Sequence, residues 1–187
     1  DYSVVIAPLM HIVNDELVAE LKSFVENGGT LISTYFSGAA DKNLALVGNS
    51  YGGKFLTDIF GVRVEEYAPM DEAEGNLSNG YKNSVWRELA FVDSGVEVLA
   101  SYADQGETRG SPAVTKRSVG SGNAIYVGTR LDADSLTQLV ASELSLNQEN
   151  LGLSSVSRGG KTLFWNSSDS VLTHNQSQLQ PGDFVIE

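Results

Sequence analysis

The chain contains 187 residues, 41% of them hydrophobic, and its 12 Lys and Arg against 24 Asp and Glu give a net charge of −12. This length accommodates one full domain and a small second one. The acidic balance would repel a phosphate backbone, so we expect no nucleic acid partner. The chain has no cysteine, which excludes disulfides and thiolate sites and fits a cytoplasmic location. We also expect no membrane partner, because no apolar run approaches the roughly 20 residues that span a bilayer.

The first third of the sequence predicts a strand, a helix and a second strand. The apolar run YSVVIAP is typical of a strand that is covered on both faces. Asn14 is placed to cap the following helix, which should end at Gly28 and Gly29. Residues at helical spacing give this helix one apolar face: Leu17, Val18, Leu21, Phe24 and Val25. The run TLIST then predicts the second strand, and this order is typical of a parallel βαβ unit.

The middle of the chain is less regular. GGKFLTDIFG predicts a short helix that ends at Gly61, and VRVEEY predicts a strand that begins at Val62. The acidic, turn-rich segment 68–84 predicts a long surface loop. Three further strands are predicted by VEVLASY, PAVTKRSV and NAIYVGT, with the last two joined as a hairpin through residues 120–122.

A final helix completes a compact α/β domain over residues 1–146. Asp132 or Asp134 is placed to cap this helix, and its apolar face consists of Leu136, Leu139, Val140 and Leu144. Residues 147–187 show no helical period, only short alternating runs between turn formers. We therefore predict that they form a small β domain.

Nucleophilic and metal chemistry have weak candidates. Ser37 directly follows the second strand, where α/β hydrolases and glutamine amidotransferases place a nucleophile. Its segment TYFSGAAD lacks the first glycine of the G-x-S-x-G elbow, so a structural loop serine is the favoured interpretation. His11 follows the first strand and is placed to face a crevice there, but neither it nor His174 has a partner at metal-ligand spacing. We predict no metal site.

The carboxylates and glycines do not form a recognisable active site. Glu65, Glu66 and the acidic residues of 71–74 lie in polar sequence, whereas a glycosidase acid needs an apolar pocket to raise its pKa. The glycines of ENGGT and VGSGNA do not deliver a helix amino end to an anion. We therefore predict no catalytic residue and no cofactor in this chain.

The stretch GNAIYVGTRLDADSL passes from a buried strand through Thr129, Arg130 and Asp132 into the final helix. The carboxyl end of such a strand is a usual ligand site in open α/β proteins, so an anion or sugar site is one interpretation. The other is that Asp132 or Asp134 caps the helix while Arg130 pairs with a carboxylate, locally or on a neighbouring chain. Together with His11 and Ser37, these three residues are the candidate ligand or interface residues.

Three segments, in order and spacing, resemble the middle domain of β-galactosidases of glycoside hydrolase family 42. They are YSVVIAPLMHIVNDELVAELKSFVENGGTLISTYFSGAADKN, FGVRVEEY and PAVTKRSVGSGNAIYVGTRLD. The resemblance covers residues 1–146. The remainder, with KTLFWNSSD and LQPGDFVIE, resembles that family's small carboxyl-terminal β domain, although it is shorter than usual.

This resemblance implies a fold, and it implies that catalysis and assembly belong to different domains. The fold would be a three-layer, flavodoxin-like sandwich of the class I glutamine amidotransferase type without its nucleophile, followed by a small antiparallel β appendage. Two glutamates on an amino-terminal (β/α)₈ barrel, which these residues do not contain, would release terminal non-reducing β-D-galactose with retention. This chain would assemble the homotrimer and shape the entrance to each barrel, and it would meet galactoside only through that barrel. The junction at residues 129–132 would then be a turn and interface element.

A second class of function stays open. A free-standing α/β domain would bind a small molecule or a carbohydrate in a concave site lined by His11, Ser37, Thr129 and Arg130. The gene context separates the two interpretations, because a barrel-coding stretch directly upstream of Asp1 supports the first and a start codon there removes it.

Overall fold

The computed structural model describes residues 2–47, 51–70, 75–103, 106–145 and 152–187 of a mixed α/β chain. The chain divides into two compact units, Asp1–Asp132 and Ala133–Glu187. In chain order, the elements of the first unit are β1 (Val4–Ala7), α1 (Asp15–Glu26), β2 (Thr30–Thr34), a short π-helix (Phe55–Phe60), β3 (Val62–Pro69), β4 (Gly75–Asn76), β5 (Lys82–Ser84), β6 (Trp86–Val92), β7 (Val96–Ser101), β8 (Pro112–Val119), β9 (Gly122–Val127) and β10 (Arg130–Leu131). Those of the second unit are α2 (Ala133–Glu143), β11 (Leu153–Arg158), β12 (Lys161–Asn166), β13 (Leu172–His174), β14 (Ser177–Leu179) and β15 (Phe184–Ile186).

The domain boundary that the sequence predicts, after residue 146, falls within residues 146–151. These residues lie outside the described part of the chain, so the boundary stays a prediction. No helix in the described residues is long and apolar enough to cross a membrane.

The main sheet contains five strands in the order β1-β2-β9-β8-β7. The first three are parallel to one another, whereas β8 runs antiparallel to both β9 and β7. The predicted parallel βαβ unit is confirmed, since α1 connects β1 to β2. The predicted hairpin is also confirmed, with Val119 paired to Gly122. The parallel part of the sheet therefore brings the carboxyl ends of β1, β2 and β9 to one edge.

Helix α1 begins and ends where its sequence signals place it. The Asn14 Oδ1 atom accepts a hydrogen bond from the Leu17 N–H at 2.8 Å, which satisfies one of the free amide groups at the helix start. The helix ends at Glu26, and Gly28 then adopts a φ of 103°, a conformation that favours glycine. α1 and the π-helix contribute to one hydrophobic core, whose buried members include Val18, Val25, Phe55, Leu56, Ile59, Phe60, Ala124 and Tyr126.

The prediction of a long loop over residues 68–84 is wrong for its described part. β3 continues to Pro69, and β4, β5 and β10 form a three-stranded sheet. Within the segment, Leu77 and Asn83 are buried. The turn-forming residues indicate a loop locally, but β5 pairs both with β4 of the same segment and with β10, much later in the chain. These strands are too short to show an alternating pattern. Residues 71–74 lie outside the described residues.

The junction after β9 also differs from the predicted direct turn into a helix. Arg130 and Leu131 form β10 and pair with Ser84 and Asn83 of β5 before α2 begins at Ala133. The ribbon of β3 and β6 was missed in part as well, because the sequence pattern predicts β3 but not its antiparallel partner β6.

The strands of the second unit pair antiparallel in two small sheets, β11-β12-β15 and β13-β14. Asn166, at the end of β12, is 1% exposed, and its amide makes four hydrogen bonds. Its Nδ2 donates to the carbonyl oxygens of Ser170 (2.7 Å) and Leu179 (2.9 Å). Its Oδ1 accepts from the N–H (2.9 Å) and the hydroxyl (2.7 Å) of Ser168. This side chain therefore connects β12, β14 and the turn between them.

Candidate functional site

The loops that follow β1, β2 and β9 meet at one edge of the main sheet. At this edge Thr34 pairs with Val127 across the parallel strands β2 and β9. In open α/β sheets the carboxyl edge is the usual place for a ligand. It carries three of the sequence candidates: His11 after β1, Ser37 after β2 and Thr129 after β9.

Ser37 is fully buried, and its hydroxyl connects two of these loops. The Oγ atom accepts a hydrogen bond from the Met10 N–H at 2.9 Å and lies 3.1 Å from the Ser33 Oγ. The Ser33 hydroxyl lies 2.9 Å from the Ala7 carbonyl oxygen, to which it donates. The Ser37 hydroxyl is therefore engaged in bonds that hold the ends of β1 and β2 together.

The strained backbone position of this turn belongs to Phe36. Its φ of 62° lies in the left-handed region, which costs an ordinary residue on the order of 1 kcal/mol. Gly38, two residues later, has a φ of 70°, and a Cβ there would lie 2.8 Å from the Gly52 carbonyl oxygen. A nucleophile elbow presents its reactive atom from such a strained turn. Here the strained position presents a phenyl ring, which has no nucleophilic atom.

His11 stacks on the Phe36 ring. The two ring centroids are 4.6 Å apart and the ring planes differ by 15°. The His11 Nδ1 atom is buried and has no hydrogen-bond partner among the described residues. Across the ranges that the structure describes, no group of three or more His, Cys, Asp or Glu side chains is arranged to hold a metal ion.

Glu88 of β6 lies at the centre of this region and is fully buried. Its Oε1 atom accepts hydrogen bonds from the Phe36 N–H at 3.1 Å and from the Trp86 Nε1–H at 3.2 Å. Its Oε2 atom accepts from the Tyr126 hydroxyl at 2.7 Å. Burial raises the pKa of Glu88 to about 7, against the opposing effect of these three donors. The carboxyl group therefore titrates near neutral pH while it anchors the strained turn at Phe36.

Two buried tyrosines complete the network around Glu88. The Tyr102 hydroxyl accepts from the Glu88 N–H at 3.1 Å and donates to the Gly128 carbonyl oxygen at 2.8 Å. Burial raises the pKa values of Tyr102 and Tyr126 above their ordinary value. Both side chains are therefore neutral phenols that donate hydrogen bonds across the physiological pH range. They join β6 to the residues that follow β7 and to β9.

The remaining candidates, which lie in the GTRLD stretch, differ in how far they are buried. Thr129 is buried, and its Oγ1 atom donates to the Trp86 carbonyl oxygen at 2.6 Å and accepts from the Asn83 Nδ2–H at 3.0 Å. Arg130 is exposed on β10, whereas Asp132 is half-buried. The structure thus brings His11, Ser37 and Thr129 to the same edge of the sheet, and it leaves Arg130 at the surface.

Six aromatic rings lie against one another around Phe36 and Trp86. The centroids of neighbouring rings are between 4.6 and 6.2 Å apart, as in the parallel stack of Tyr67 on Trp86 at 4.9 Å. These are contact distances, so the rings fill the space between them. The members are His11, Tyr35, Phe36, Tyr51, Tyr67 and Trp86.

The arrangement can support structure and proton binding but offers no pair of catalytic acids. Glu88 is the one carboxylate that is buried among the residues for which the structure gives a position, and glycoside hydrolysis requires two. Of the acidic cluster considered from the sequence, Glu65 and Glu66 are exposed, and residues 71–74 lie outside the described residues. Sequence reasoning missed Glu88 itself. The available signal was its place directly before the apolar run LAFV in WRELAFV, which is unusual for an exposed acid.

A family model described as "Beta-galactosidase trimerisation domain" matches residues 1–149. The chain belongs to the beta-galactosidase trimerisation domain family. The match includes the main sheet, Glu88 and all five candidate residues that the sequence singled out.

Curated relatives of this trimerisation domain are beta-galactosidases. The chain is 39% identical over 143 residues to Beta-galactosidase LacZ of Heyndrickxia coagulans, which covers 74% of this chain and 21% of that protein. It is 30% identical over 186 residues to Beta-galactosidase BbgII of Bifidobacterium bifidum, which covers 93% of this chain and 26% of that protein. The chain therefore spans between a fifth and about a quarter of the length of these relatives.

Solved structures show the same fold over almost the whole chain. A beta-galactosidase from Rahnella sp. R3 matches with a TM-score of 0.80 and 25% identity, over 99% of this chain and 32% of that one. The enzyme of the Antarctic haloarchaeon Halorubrum lacusprofundi, described as a polyextremophilic beta-galactosidase, matches with a TM-score of 0.79 and 22% identity, over 99% of this chain and 31% of that one. The fold of this trimerisation domain is thus found within larger beta-galactosidase chains.

Proposed function

We propose that this chain is the assembly module of a larger β-galactosidase and has no hydrolytic activity of its own. The observation that carries the proposal is the match of residues 1–149 to the trimerisation domain model. The site geometry supports it, because the strained turn carries Phe36 and the buried carboxylate Glu88 has no second acid beside it among the described residues.

The proposal also describes the assembly and the activity of the whole protein. Three copies assemble as a homotrimer, and each copy carries its own amino-terminal (β/α)₈ barrel in addition to these 187 residues. That barrel binds the galactoside and releases terminal β-D-galactose with retention, and the trimerisation domain shapes its entrance. The relatives that support this are beta-galactosidases several times longer than this chain. A cytoplasmic location remains a prediction from the sequence.

The proposal includes a finer fold class, a flavodoxin-like sandwich of the class I glutamine amidotransferase type. The parallel strands β1, β2 and β9 with the connecting helix α1 support this assignment. So does the strained turn after β2, which lies where that class carries its nucleophile. The small β domain over residues 147–187 remains part of the proposal.

The test uses the full-length gene product and the 187-residue chain side by side. We expect the full-length protein to have the mass of a trimer in light scattering and to hydrolyse o-nitrophenyl β-D-galactopyranoside. We expect the short chain to release no nitrophenol at the same molar concentration. A monomeric full-length protein, or hydrolysis by the short chain that survives repurification, would contradict the proposal.

A further inference from the structure

Four large apolar side chains are exposed on the segments that follow β1 and precede the π-helix. They form what we call the Ile12 patch, which consists of Leu9, Ile12, Leu44 and Leu46, with exposed fractions between 48% and 80%. The patch lies beside the buried site, since His11 between its first two members stacks on Phe36.

Backbone pairing brings the two segments that carry these side chains together. Ile12 forms a parallel bridge with Ala40, and Ala40 forms an antiparallel bridge with Leu46. Paired residues in such bridges project their side chains to the same side. Ala40 is 1% exposed, which shows that the small central side chain is covered while its two large neighbours remain open to solvent. The Leu44 N–H donates to the Asp41 carbonyl oxygen and fixes the adjoining turn.

The size of the patch is characteristic of a contact surface. Four side chains at these exposed fractions present on the order of 400 Å² of apolar surface, which is within the range of the largest patch on a typical monomer and is often functional. A stable interface buries about 800 Å² on each partner. The patch therefore provides about half of the area that one partner of such an interface buries. If the patch stayed exposed to water, it would lower the solubility of the isolated chain.

We propose that the Ile12 patch is one of the two surfaces that meet where neighbouring copies of the full-length protein contact each other. This inference rests on the proposed function, because the patch lies within the residues matched by the trimerisation domain model. A closed ring of three copies uses a head-to-tail contact, in which one patch meets a different surface on the next copy. All four side chains of the patch are apolar, so a single acidic substitution among them would place a charge among apolar side chains that the neighbouring copy covers.

The experiment places one negative charge in the patch of the full-length protein. Ile12→Glu and Leu46→Glu are compared with Val156→Glu, a control whose wild-type residue is 53% exposed on β11 and lies outside residues 1–149. Light scattering across a dilution series gives the concentration at which half of the trimer dissociates. We expect this concentration to rise at least about tenfold in both patch variants and to stay within about twofold of wild type in the control.

The dissociation midpoints are interpreted for variants that circular dichroism shows to be folded. Patch variants that keep the wild-type dissociation midpoint overturn the inference, and if they also melt at lower temperature, the patch is covered by another part of the same chain. A wild-type protein that is monomeric contradicts the proposed function as well as this inference. Dissociation of the control together with the patch variants also overturns the inference, because the effect would then follow charge alone.

Discussion

Glu88 in the first unit and Asn166 in the second are both fully buried polar side chains, but they are held in different surroundings. Glu88 accepts three hydrogen bonds from side chains and backbone within an apolar and aromatic interior. Asn166 makes four hydrogen bonds within small sheets in which some apolar residues remain exposed, Phe184 at 65% and Ile186 at 56%. The carboxylate of the first unit is thus enclosed by a hydrophobic core and aromatic side chains, whereas the amide of the second is bonded by the turn residues Ser168 and Ser170 and by Leu179.

The two side chains also differ in how they respond to pH. Glu88 can gain a proton, and burial makes the protonated form the more stable one in the folded state. Asn166 has no ionisable group. The comparison therefore predicts that the stability of the first unit depends on pH near neutrality through Glu88, and that the hydrogen bonds of Asn166 do not.

The largest effect is expected from Asn166→Ala. The substitution removes the donor to the Leu179 carbonyl oxygen and the acceptor of the Ser168 N–H, whereas the Ser170 carbonyl oxygen still accepts from the Ser168 hydroxyl at 3.1 Å. Each buried polar group left unpaired costs roughly 1–3 kcal/mol, so the loss of these two bonds should lower the unfolding free energy of the second unit by about 3 kcal/mol. Hydrogen exchange should show lost protection in β12 and β14 while the amides of β2 and β9 keep theirs. Equal loss in both units would show that their stability is not separate.

The second effect is the pH dependence carried by Glu88. Its folded-state pKa of about 7 lies above the ordinary value of 4.5. The stabilisation is therefore complete below pH 4.5 and is lost as the pH rises through 7. The shift corresponds to about 3 kcal/mol between these limits. In urea unfolding of Glu88→Gln, which cannot ionise, the fall in stability between about pH 4.5 and 8 should be smaller than in wild type by that amount.

Asn166→Asp is the matched control for this experiment, because it introduces a carboxylate of the same kind into the second unit. We expect it to create a new pH dependence of the same sign in β12 and β14, since the buried acid should be more stable when protonated. If Glu88→Gln and wild type show the same pH dependence, folding does not raise the pKa of Glu88 and our account of its burial is wrong.

A smaller effect is expected from Tyr126→Phe. The variant removes the donor 2.7 Å from the Glu88 Oε2, and this donor lowers the pKa of Glu88. We expect the pKa of Glu88 to rise further, and the stability at about pH 8 to fall by about 1–2 kcal/mol, with a smaller loss at about pH 5. Carboxyl ¹³C chemical shifts of labelled glutamate would follow the titration directly. An unchanged or lower midpoint would mean that Tyr126 does not stabilise the ionised form.

The smallest effect concerns the contact between His174 and Glu187 in the second unit. The His174 Nε2 atom lies 3.2 Å from the Glu187 Oε1, which also accepts from the Asn175 Nδ2–H at 2.6 Å. Because the Glu187 side chain is 41% exposed and therefore well solvated, Glu187→Gln should change the unfolding free energy by less than about 1 kcal/mol in thermal unfolding. A larger loss would show that this contact, and not Asn166 alone, holds the small sheets together.

The sequence predicted the parts of the fold whose signals are local. Asn14 and the spacing of apolar residues located α1, and the run of Thr30–Thr34 located β2, because caps and periodicity act within a few residues. β6 and the pairing of β5 with β10 were missed because the partners in each pair lie far apart along the chain. A strand with apolar residues on both faces, such as WRELAFV, shows no clean alternation.

The sequence located candidate residues at strand ends but not the contacts that they make. Ser37 and Thr129 were placed correctly at the ends of β2 and β9, since strand ends follow from the topology. That the strained φ belongs to Phe36 depends on turn geometry that the sequence does not specify locally. The surroundings of Glu88 come from Phe36, Trp86 and Tyr126, which are far apart from one another in the chain or in the sheets. Only the assembled fold makes this acid buried, so its raised pKa was beyond sequence reasoning.

Because the Trp86 indole donates a hydrogen bond to Glu88, the intrinsic fluorescence of Trp86 can be used to follow the first unit. The chain has two tryptophans, and the second, Trp165, lies on β12 in the other unit. Replacing one of them by Phe therefore leaves a chromophore in a single unit. With Trp165 replaced, the fluorescence of Trp86 reports the charge of the Glu88 carboxyl group, which its Nε1–H contacts at 3.2 Å. A negative charge beside the indole changes the energy of its excited state and so shifts the emission wavelength.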